Sequence, residues 1–108
     1  MIVSDNVMIS EGISHKACEI IKAIKKGENP RYKVWYAVTS AREPDNLMYI
    51  LSSMEYRFPF YHRKAGGELK LLGLAGSRQE ALDIVLKITE TGYHMDRIED
   101  LKSYISDL

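Results

Sequence analysis

The sequence predicts a single α/β domain over residues 1–108: a small three-stranded, mostly parallel sheet in βαβαβα order, with an extra helix at the C-terminal end. Three observations predict it. Helical and extended apolar patterns alternate along the chain. A sharp strand-to-helix boundary stands at Gly76-Ser77, where a glycine turn runs into a capping pattern. No repeat, low-complexity tract or linker-like stretch interrupts the series.

The first element is a weak strand around Val7 to Ile9. Ile13, Ala17, Ile20, Ile21 and Ile24 then fall on one face of a helix, which Gly27 is placed to end. After the turn at Asn29-Pro30, Tyr32 to Thr39 is rich in β-branched and aromatic residues. Its alternate positions Val34, Tyr36 and Val38 face one side, and Trp35 and Ala37 face the other, so this reads as a central strand covered on both faces. Pro44 suits the first turn of a second, short helix with an apolar stripe of Leu47, Ile50, Leu51 and Met54.

From Glu55 to Glu68 the pattern dissolves, and Pro59 argues for a loop or an edge segment there. Leu69 to Ala75 is the third strand, leading through Gly76 into a helix that opens Ser77-Arg78-Gln79-Glu80. Ala81, Leu82, Ile84, Val85 and Ile88 form its buried face, and Gly92 reads as its stop. A last helix begins near Asp96, capped by Asp96-x-x-Glu99, and packs through Ile98, Leu101, Ile105 and Leu108.

Fifteen basic and fifteen acidic side chains cancel, which removes the long-range field that draws proteins to nucleic acid or anionic membranes. No apolar run approaches the roughly 20 residues of a membrane span. The single cysteine, Cys18, cannot form an internal disulfide, and the first residues lack the basic and apolar regions of a secretion signal, so a cytoplasmic protein is expected. His15 and Cys18 lie one helical turn apart, but zinc needs more ligands, and His62 and His94 stand alone. No metal or cofactor is expected, and the Cys18–His15 pair lacks a third residue to orient it for catalysis.

Two places remain where function can sit. At Gly73-Leu74-Ala75-Gly76-Ser77-Arg78 a strand turns into a helix whose free N–H groups and positive dipole end suit a phosphate or carboxylate. Gly76, Ser77 and Arg78 are the candidate ligand-binding residues, with Ser40, Arg42 or Asp45 on a neighbouring loop. The spacing is neither a Walker A motif nor a dinucleotide fingerprint. Glu43 and Asp45, flanking Pro44, are explained by the dipole of the helix expected to follow.

The second place is the aromatic and basic segment Tyr56 to Lys64. Base stacking is disfavoured by the neutral total charge and the lack of an RNP motif. Tyr56, Phe58, Phe60 and Tyr61 instead read either as rings that cap the core under a long loop or as a protein interface, since a small sheet must cover its edges and such aromatics are enriched where proteins meet. The sequence thus predicts a non-catalytic protein-interaction or self-association module, with a homodimer the simplest assembly. The alternative is a small enzyme or sensor that binds an anionic ligand at the Gly73 to Arg78 turn. No motif carries a resemblance to a named family.

Overall fold

The structure, a computed structural model of the chain, describes residues 1–41, 46–57, 69–95 and 100–108. In chain order the elements are β1 (Ile2–Ile9), a 3-10 turn (Glu11–Ile13), α1 (Ala17–Lys25), β2 (Tyr36–Ser40), β3 (Met48–Ser52), α2 (Ser53–Tyr56), β4 (Lys70–Ala75), α3 (Arg78–His94) and α4 (Leu101–Ser106). The sheet has four strands in the order β1-β4-β2-β3. Only β1 and β4 run parallel, and β2 is antiparallel to both of its neighbours. A three-stranded, mostly parallel sheet is therefore corrected to a four-stranded, mostly antiparallel one.

The added strand is β3, which stands where a second helix was expected. Leu47, Ile50, Leu51 and Met54 have helical spacing, but Met48 and Ile50 pack on one face of the sheet and Tyr49 and Leu51 on the other. A strand covered on both faces is apolar throughout, and its period of two disappears. Helix forms only in the short α2, behind a complete capping box in which Ser52 Oγ accepts from the Glu55 N–H and the Glu55 carboxylate accepts from the Ser52 N–H. With β3 paired directly beside β2, an antiparallel hairpin replaces a crossover.

Helices cover both sheet faces. On one, Ile13 and the α1 residues Ala17, Ile20 and Ile24 meet Trp35, Ala37, Leu51, Leu71 and Leu74. On the other, Ala81, Ile84 and Ile88 of α3 and Ile105 of α4 meet Val38, Leu72 and Ala75. The helix α1 ends as expected at Gly27, whose φ of 71° closes the turn while the Glu28 N–H donates to Ala23 and the Gly27 N–H to Ile24. Gly92 does not end α3. It lies buried inside the helix, and a Cβ there would stand 2.6 Å from Leu101 Cδ2, so the glycine lets α4 approach α3.

Two irregularities shape β4 and its neighbours. Val38 pairs with Gly73 but Thr39 with Leu71, so Leu72 is an extra residue that turns Leu72 and Gly73 in succession toward α3. A Cβ on Gly73 would lie 2.8 Å from Ile84 Cγ2. On the other side, Val3 pairs with Leu71 and Met8 with Gly73, so five steps along β1 span two along β4. The surplus residues between Val3 and Met8 form an extended bulge in this edge strand. The expected cap Asp96-x-x-Glu99 and Ile98 lie outside the described residues; Leu101 and Ile105 belong to α4 as expected.

Candidate functional site

Because β1 and β4 are parallel neighbours, the turns that follow them lie side by side. Ser10, Glu11 and Gly12 leave β1, and Gly76 and Ser77 leave β4. The turns touch: a Cβ on Gly76 would be 3.0 Å from the backbone C and O of Gly12. Ser77 caps α3 as the sequence predicts, its Oγ accepting from the Glu80 N–H at 3.2 Å. The other half of the capping pattern goes elsewhere. The Glu80 carboxylate accepts from the Gly76 N–H at 2.8 Å and the Ser10 hydroxyl at 2.8 Å through Oε1, and from the Gly12 N–H at 3.2 Å through Oε2.

Glu80 thereby ties the β1 turn to the β4 turn. The Ser10 hydroxyl, the Gly76 N–H and the Gly12 N–H hold its pKa below the ordinary 4.5, against a weaker opposing effect of desolvation. The expected anion site thus already holds a carboxylate, supplied by the chain. Gly76 is engaged, Ser77 caps, and Arg78 is exposed without an ion pair among the described residues. Ser40 is not a neighbour of this turn. Antiparallel pairing carries it to the start of β4, where its Oγ accepts from the Lys70 N–H at 2.9 Å. Arg42 and Asp45 lie outside the described residues.

Of the aromatic segment, the structure describes Tyr56 and not Phe58, Phe60 or Tyr61. Tyr56 is 1% exposed, with its ring edge-on to Trp35 at a centroid distance of 5.4 Å. Burial raises its hydroxyl pKa above 10.0. Of the two expectations for this segment, Tyr56 takes the core one and not the interface one, since its ring is covered by its own domain. His15 meets Tyr32 edge-on at a centroid distance of 5.7 Å while Cys18 is exposed, and no cluster of three or more potential metal ligands occurs among the described residues. No helix among them is long and apolar enough to cross a membrane.

The outer face of α3 carries a feature that the sequence reading missed. Leu82, expected in the core, is 40% exposed, and Leu86 and Tyr93 are 57% and 59% exposed. With Thr89 between them, these residues recur at steps of four, three and four, the spacing of a seam between paired helices. The core-facing residues Ala81, Ile84, Ile88 and Gly92 lie on a different side. The two apolar arcs adjoin, so in the sequence Leu82 merges with the buried stripe of Ala81, Ile84 and Ile88.

The sheet edges differ too. The strand β1 exposes Ile2 and Ile9 along one edge, and β3 forms the other. In comparisons with known proteins, no family model, no curated protein and no solved structure matches this chain, so its function is argued from its own residues.

Proposed function

We infer that this chain is a non-catalytic, cytoplasmic protein-binding module that associates with a second copy of itself through the outer face of α3. The observation that carries the reading is the stripe of Leu82, Leu86 and Tyr93 on the longest helix of the fold. Fully burying a leucine side chain is worth about 1.5–3 kcal/mol, and two-fold symmetry doubles every contact. Such a sum can exceed the cost of association when the anchors sit together on a rigid element. A single, exposed Cys18 that has no partner for an internal disulfide suits a cytoplasmic setting.

Light scattering coupled to size exclusion tests this. The wild type is expected at twice the chain mass of 12.4 kDa at micromolar concentration, and Leu82→Ser with Leu86→Ser at 12.4 kDa. A wild-type particle of 12.4 kDa at every concentration rejects self-association. A dimer that survives these changes but dissociates in Phe58→Ser with Phe60→Ser moves the interface to the aromatic segment, where the sequence reading had it.

A second reading, a small anionic ligand at Gly76, Ser77 and Arg78, is supported by the convergence of three donors on one carboxylate. It requires the ligand to displace Glu80. Phosphate should then shift the amide signals of Gly76, Ser77 and Arg78, and more so in Glu80→Ala; unmoved signals in both proteins end that reading.

A further inference from the structure

We propose that the space beneath the β1 bulge is a binding pocket for a small, uncharged, mainly apolar molecule, such as a single aromatic ring bearing one O–H or N–H group. The pocket has a volume of about 200 Å³. It lies beside the surplus residues Ser4 and Asn6 of β1, and is lined also by Leu72 of β4, Ile88 and Thr91 of α3 and Tyr104 of α4. Met8, Leu72, Ile88 and Leu108 supply apolar wall. An apolar cavity of about 150 Å³ is enough to hold a benzene ring, so one substituted ring fits.

The polar groups at the pocket narrow the class. The Ser4 hydroxyl donates to the Leu108 carbonyl and accepts from the Asn6 N–H, so it is engaged by the bulge itself. Thr91 Oγ1 donates its proton to the Lys87 carbonyl at 2.8 Å, and toward a ligand it can only accept. The Asn6 side-chain amide has no hydrogen bond among the described residues. Tyr104 also lines the pocket and has an interaction of its own, so a ligand with one donor group meets an acceptor at Thr91 and a versatile partner at Asn6. No acidic or basic side chain lines the pocket, and the carboxyl oxygen of Leu108 held by Ser4 lies at its wall, so an anionic ligand would be desolvated there without a counter-ion. Bulges of edge strands re-aim side chains next to binding sites, which is the role Asn6 has here.

The site is independent of the self-association surface. Ile88 and Thr91 face away from the stripe of Leu82, Leu86 and Tyr93 on α3, so either can fail alone. The test is a titration of the methyl-labelled full chain with phenol, anisole and benzoate, followed by NMR. Phenol is expected to give saturable shifts at the methyl groups of Met8, Leu72, Ile88 and Leu108. Thr91→Phe, which fills the mouth, should weaken binding about tenfold or more. Asn6→Ala should weaken it about fivefold, the effect of one lost hydrogen bond, and it decides the matter if Thr91→Phe does not fold.

No shifts up to about 10 mM phenol, shifts spread over methyl groups elsewhere, or unchanged affinity in the folded variants overturns the pocket. Anisole, which lacks the donor, should bind about fivefold more weakly than phenol, and benzoate should leave the spectrum unmoved. Equal binding of either compound overturns the proposed ligand class.

Discussion

The N-terminal turn of α3 and the outer face of the same helix are built on opposite plans. At the turn, the N–H groups of Gly76 and Gly12 and the Ser10 hydroxyl converge on Glu80, and the backbones are close enough that a Cβ on Gly76 would press on Gly12 at 3.0 Å. Along the outer face, Leu82, Leu86 and Tyr93 are exposed, with no described element of the chain covering them. The region with the recognisable motif has its binding groups engaged internally, whereas the region without a motif has uncovered ones. A capped turn is evidence of donors, and only the tertiary structure says what those donors hold.

If the turn is a structural lock, tightening or unlocking it should cost stability, and changes on the outer face should not. Gly76→Val has the largest expected effect, a loss of about 1–3 kcal/mol, because the new side chain meets the Gly12 backbone rather than a flexible neighbour. A urea midpoint equal to that of the wild type would show that the two turns can separate freely.

Glu80→Gln comes next and reveals itself through pH. The folded pKa of Glu80 lies below the ordinary 4.5, so its contribution is complete above 4.5 and is lost as pH falls through the lower folded value. The wild type should therefore lose more stability than Glu80→Gln does as pH falls from the ordinary 4.5 through the lower folded value. Parallel curves of urea midpoint against pH would mean that the three hydrogen bonds do not favour the ionised form.

Ser77→Ala removes only the cap and should cost about 0.5–2 kcal/mol. If thermal and urea unfolding both leave it unchanged, Ser77 does not cap in solution and is free for a ligand. The smallest effect belongs to the outer face: Leu86→Ser should alter the stability of the monomer by no more than about 0.5 kcal/mol. A larger loss, measured in dilute solution, would make the stripe part of the core rather than an unused surface.

What the sequence conveyed follows the same division between local and distant causes. Gly27 and Ser77 mark helix boundaries through their own backbone or the N–H of a residue three positions on, and both were legible. The strand β3 was not, since Met48 to Leu51 is apolar on both faces and mimics a helical stripe. The direction of β2 is set by its partners, and it decides that Ser40 sits by Lys70 rather than by Gly76. Glu80 was read as a capping residue because its sequence neighbours fit, yet two of its three partners come from the β1 turn, some seventy residues earlier. The bulge in β1 leaves no mark in composition, because Ser4 to Val7 is unremarkable until its register against β4 is known.

The central claim, that the turn is closed and the outer face of α3 is the working surface, is tested most directly by an amide NMR dilution series of the wild-type chain. Between about 1 mM and about 10 μM, the account predicts concentration-dependent shifts at Leu82, Leu86, Thr89 and Tyr93, while Gly76, Ser77 and Glu80 stay fixed. Signals that hold still along α3 across that range, or that move at the Gly76-Ser77 turn instead, would contradict it.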